Sequence, residues 1–184
     1  MTHHFHLKTA LAIAALLSMP LAQAAGTVSK VDYSAGKNRI SAEYKADKAA
    51  CKAMAGNAKD ICMEQAKAKQ TVARAELEYG YTGTQADADK VGIAKAKSAY
   101  AVAKERCDDL AGNPKAVCRK EAEAAETKAL ADVKLGQKVG KASAEATDDK
   151  RDANYEVAAQ RCDILAGDAK ANCIATAKAR FGKS

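Results

Sequence analysis

CKAMAGNAKDIC (51–62), CDDLAGNPKAVC (107–118) and CDILAGDAKANC (162–173) are three versions of one twelve-residue phrase, each bounded by cysteines. A large apolar residue stands three positions after each first cysteine: Met54, Leu110 or Leu165. Ala-Gly follows, and the residues on either side of each phrase carry helical spacing. Gly56, Gly112 and Gly167 therefore read as residues just past a helix end, in the left-handed conformation that glycine adopts without cost. Asn57, Asn113 and Asp168 read as N-caps of the next helix. Pro114 reads as a first helical residue, where its missing N–H costs nothing. Each phrase predicts two antiparallel helices joined by a minimal loop. Facing positions then sum to a constant, which sets Cys51 opposite Cys62, Cys107 opposite Cys118 and Cys162 opposite Cys173.

The self-similarity reaches outward from the cysteines. First cysteines recur after 56 and then 55 positions, with Tyr44, Tyr100 and Tyr155 seven residues before them. Ala66, Ala122 and Ala177 lie four residues after the second cysteines, and Gly80 matches Gly136. A period of this length means one supersecondary unit per copy. The expected units are about 36–83, 84–147 and 148–184, within a single domain over 25–184. In the middle unit Ile93, Ala96, Tyr100, Ala103, Cys107 and Leu110 form the seam of an amphipathic helix. Across from them lie Cys118, Ala122, Ala125, Ala129 and Val133, so large faces small. Ile40 faces Ala73 in the first unit. Asp47 interrupts that seam, as Arg151 does in the third.

YGYTGTQAD (79–87) holds two glycines and a capping box, Thr84 with Asp87, and reads as a turn. The matching LGQKVGKASAEATDDK (135–150) allows either a turn or an uninterrupted helix. The expected fold is all-α: three disulfide-stapled antiparallel hairpins, in an elongated bundle of six helices or in a rod with one very long central helix.

The first residues carry a short cationic start, an apolar run over 11–17, Pro20 and an A-x-A at 22–24. These are the parts of a secretory signal peptide over 1–24, cleaved after Ala24 or, alternatively, Ala25. The mature chain would lack histidine, since His3, His4 and His6 leave with it. Its net charge would fall from +7 to +6, because Lys8 departs and 29 basic residues stand against 23 acidic ones. Periplasmic or secreted localisation follows. Six cysteines in an oxidising compartment read as three disulfides. Six allow fifteen pairings, and the repeat favours the three within-phrase pairs. A thiolate metal site and thiol-redox chemistry are the competing readings. The first lacks histidine and close cysteine pairs; the second lacks a C-x-x-C at a helix start.

No phosphate-binding loop, nucleophile elbow or histidine base is present, so no enzyme and no cofactor are expected. Acidic pairs such as Asp108-Asp109 and Asp148-Asp149 read as solvated surface. CDDLAGNPKAVC, the Ala/Lys/Glu-rich helix after it, EATDDKRDA (145–153) and the terminal FGKS make the chain similar to a family of uncharacterised secreted proteobacterial proteins, often labelled TolA-like or cell-envelope-biogenesis proteins. That resemblance implies a periplasmic helical protein and no activity. The expected role is a structural or protein-interaction module of the envelope, stress-protective or chaperone-like, that contacts another envelope protein or itself. Tyr79 and Tyr81 are its candidate contact residues. The alternative is an anionic partner (nucleic acid, lipopolysaccharide or peptidoglycan) held by basic faces, with Lys170, Lys178, Arg180 and Lys183 as the basic tail. A thiol-redox or metal-responsive protein is the second alternative.

Overall fold

A computed structural model describes residues 28–183, and the proposed signal peptide lies outside them. Among the described residues five α-helices follow one another: α1 Lys30–Cys51, α2 Gly56–Thr82, α3 Gln85–Arg106, α4 Gly112–Cys162 and α5 Gly167–Phe181. A 3-10 turn, Cys107–Asp109, closes α3. Among the described residues there is no strand, and no helix is long and apolar enough to cross a membrane.

Three disulfides tie the hairpins: Cys51–Cys62, Cys107–Cys118 and Cys162–Cys173, with Cα–Cα separations of 5.6, 5.7 and 5.7 Å. The first cysteine of each pair is the most deeply buried large side chain of its hairpin, at 1%, 0% and 1% exposure. Ala66, Ala122 and Ala177 are buried one turn further on. The core is thus a line of sulfur and methyl groups, and each bridge stabilises by about 2–3 kcal/mol through a short closed loop.

The constant-sum rule holds along the arms. A Cβ on Gly36 would lie 2.8 Å from Leu77, and 36 and 77 sum to 113, like 51 and 62. A Cβ on Gly92 would lie 2.6 Å from Val133, and 92 and 133 sum to 225, like 107 and 118. Close packing of large against small therefore runs the length of both seams. Ile40 is buried beside Ala73. Asp47, which interrupts this seam, is paired with Lys69 across the hairpin at 3.0 Å.

The corners differ from the sequence reading in their caps. α1 ends with Lys52 in right-handed geometry at its C-cap, well before Gly56. Ala55, Ala111 and Ala166 take the extended N-cap position, and none of these three starts has a side-chain cap. Gly56, Gly112 and Gly167 do have positive φ (56°, 59° and 55°), but as the first residues of the following helices. Asn57, Asn113 and Asp168 are therefore not N-caps, and Pro114 is the third helical residue rather than the first. Two helix axes lie about 8–10 Å apart, too far for one glycine to bridge. Residues 52–55 make the crossing, and glycine turns the chain into the next helix. Pro114 still falls in the first turn, whose N–H groups have no helical partner.

α2 runs through Gly80 and stops at Gly83, which is left-handed at φ 65°. Thr84 then caps α3, its hydroxyl accepting from the Asp87 amide at 3.1 Å. Hydrogen bonds from Lys90, Thr82 and Thr84 hold the Asp87 carboxyl well below the usual carboxylate range. The corresponding stretch in the second unit does not turn. Val139, Gly140 and Ser143 stand 56 positions after Gly83, Thr84 and Asp87. Stop, cap and capping-box acid are all missing, and α4 continues for 51 residues. The structure is the rod, not the six-helix bundle. Its α3 partner reaches Val133 and its α5 partner reaches Asp152, through Lys183. Residues 141–151 between them are exposed throughout.

Two glycines in this fold should respond oppositely to alanine. Gly92→Ala gains helix propensity but drives a methyl into Val133, and should lose about 1–3 kcal/mol. Gly140→Ala meets nothing within 4 Å and should gain about 0.5–1 kcal/mol. Urea unfolding of both variants checks the pair of signs. A pH series checks the second turn. Asp87 has a depressed folded pKa, so its contribution is fully present above the unfolded carboxylate value of about 3.9, declines as pH falls below that, and is gone only below the folded pKa. Asp87→Asn should lower Tm at pH 7 by clearly more than it does at pH 2.

Candidate functional site

The three corners are not electrostatically alike. Asp108, directly after its cysteine, pairs with Lys115 at 3.0 Å and Arg119 at 2.6 Å. Lys115 and Arg119 together depress the Asp108 carboxyl below its ordinary value. Asp163 holds the same place in the third corner and pairs with Lys170 at 2.9 Å. In the first corner that place is Lys52, facing Lys59 where the others have Lys115 and Lys170. The first hairpin thus lacks the acid that neutralises the other two.

Its surplus charge gathers in a groove. Between α1 and α2 an open channel of about 580 Å³ is lined by Ser41, Tyr44, Lys45, Lys48, Ala49, Lys52, Gln70 and Arg74. Among the described residues no carboxylate lines it. It continues past Ser41 and Arg74 into a second channel of about 510 Å³ with Tyr33, Lys37, Asn38, Leu77 and Glu78. Glu78 accepts from the Tyr33 hydroxyl, which raises that phenol above its ordinary pKa. Lys37 lies over the Tyr33 ring at 4.6 Å and Lys48 over Tyr44 at 5.2 Å. Among the described residues Lys37, Lys45, Lys48, Lys52 and Arg74 have no ion-pair partner. The two channels together offer five cations, the Ser41 hydroxyl, two carboxamides (Asn38 and Gln70) and two aromatic rings on one hairpin, with Glu78 engaged by Tyr33. That chemistry suits sulfate, phosphate or carboxylate groups on a polymer.

The residues singled out from sequence fall elsewhere. Of the basic tail, Lys170 is paired with Asp163 and Lys183 with Asp152, while Arg180 lies over the Phe181 ring. Lys178 is half-buried. Tyr81 is exposed, but its ring stacks on Tyr33 at 4.5 Å, and Tyr79 is half-buried. Asn57 donates from its side-chain amide to the Glu105 carbonyl at 3.0 Å, which fastens the first corner to the end of α3. Among the described residues no three His, Cys, Asp or Glu side chains gather as a metal site would require.

The groove was readable in the repeat. Lys52 aligns with Asp108 and Asp163, and Lys45 with Ala101 and Glu156. No family model, curated protein or solved structure matches the chain.

Replacing Lys45, Lys48, Lys52 and Arg74 together by alanine should weaken heparin or polyphosphate binding at least about tenfold. It should also lower the dependence of log K on log salt by roughly two to four. Removing Lys178 and Arg180 should change neither by much. Isothermal titration over a salt series measures both quantities.

Proposed function

We propose that the chain is a non-enzymatic periplasmic module that holds components of the cell envelope at a fixed separation. The uncovered middle of α4 carries this reading. The rest of the described chain leaves the span 134–151 uncovered except for half-buried Gln137, and this helix sets the ends of that span about 27 Å apart. A protein that only needed to bury its faces would have turned at residue 139, as it does at residue 83. The stapled hairpins at either end suit an oxidising compartment and offer long helical faces to other proteins. Cross-linking in intact cells, followed by mass spectrometry, tests the reading. It predicts links from both hairpin ends to envelope components, lost when Gly136→Pro and Gly140→Pro kink the span. Links that survive the kink unchanged, or a purified chain with catalytic turnover, would contradict it.

The groove on the first hairpin favours a second reading, in which an anionic envelope polymer is one of those components. Steep loss of binding with added salt separates this contact from an apolar protein interface.

A further inference from the structure

α4 exposes four large apolar side chains: Val117, Leu135, Val139 and Val157. Eighteen residues separate Val117 from Leu135, and eighteen separate Val139 from Val157. Eighteen residues are five helical turns, so each pair lies on one line. Leu135 and Val139 differ by only about 40° around the axis, and both are 60% exposed. Ala142 and Ala146 continue the stripe at alternating steps of four and three. Val133, which packs on Gly92 of α3, is two residues before Leu135 and so points about 160° away. The stripe therefore lies on the far side of α4 from its neighbour, open to a second helix.

The charges beside the stripe say what that helix is. Residues 134–141 carry Lys134, Lys138 and Lys141 and no acid, while 145–149 carry Glu145, Asp148 and Asp149 and no base. A parallel copy would set like on like. An antiparallel copy sets basic against acidic. We infer that α4 pairs antiparallel with the same segment of a second copy of this chain. In the register where facing positions sum to 281, Leu135 meets Ala146 and Val139 meets Ala142, twice each by symmetry. That is the large-against-small packing of the seams within the chain. Lys138 and Glu145 then flank the contact on the same side, where antiparallel helices form their cross-helix ion pairs. Gly136 and Ser143 occupy the other flank and let the backbones approach. Asp132 and Asp149 face each other at the two ends of the stripe. They confine the tight contact to about three turns, well below the standard interface size. The dimer is accordingly weak and forms with rising concentration.

Sedimentation equilibrium from about 5 to about 500 µM, the range expected of a small interface, tests this. The mass should move from one chain toward two. Leu135→Asp with Val139→Asp, both on exposed positions, should hold it at one chain while far-ultraviolet circular dichroism stays unchanged. Lys138→Glu alone and Glu145→Lys alone should each weaken association about threefold or more, and the two together should restore it. A mass of one chain throughout, or a dimer indifferent to Leu135 and Val139, would overturn the inference. Single charge swaps that weaken association without rescue by the double swap would overturn the antiparallel register.

Discussion

Each hairpin depends on a bond that joins two helices just outside their corner. With the cysteine Cα atoms 5.6–5.7 Å apart, the two arms cannot slide past one another. Register is then set for every later pair: Gly36 on Leu77, Gly92 on Val133, Asp47 on Lys69. A chain this rich in alanine gains little from each buried contact, and apolar area alone would leave the register loosely specified. The staples supply what the core cannot, much as in small scaffolds with few large side chains. They also fit an extracytoplasmic compartment, where such bonds persist.

Most of this was legible because disulfide spacing, glycine and helical period all point to the same hairpin. The corner caps were not, since sequence shows which residues favour a turn but not the distance the turn must cross. Four residues were needed between axes, so the asparagines lost their capping role, and Asn57 found a partner on another helix. The segment 136–147 looked ambiguous because its glycines suggest a stop. Glycine alone did not end the helix. Gly83 works with Thr84 and Asp87, and their counterparts Val139, Gly140 and Ser143 supply none of the same groups. Lys128 also stands where α2 has Val72, which lines the α2–α3 interface. A fold-back would have buried that lysine.

The groove shows the converse case. Its signal was in the repeat, at the one position where Lys52 replaces the acid of the other corners, but it is visible only as a difference between copies. Attention to what the three phrases share passes over it. The basic tail looked richer in sequence because its acidic partners, Asp163 and Asp152, are distant along the chain or across a corner. Net charge does not say which cations are paired; the ion pairs among the described residues do, and they take up Lys170 and Lys183 of the tail but none of the groove cations. The copies diverge: one hairpin leaves the cations of its groove unpaired, and one junction loses its turn and continues as a single helix.

The continuity of α4 is the claim on which the rod, its spacing and its open face all rest. Spin labels introduced through unnatural amino acids at Lys128 and Lys150, both exposed, leave the disulfides intact. Dilution with unlabelled chain removes distances between molecules. The positions are 150 − 128 = 22 residues apart, and a straight helix sets their backbones about 33 Å apart. Pulsed electron–electron resonance should give one narrow distribution near that value. A distribution centred below about 20 Å would mean that the chain turns between the two labels, as it does at Gly83, and would contradict the account.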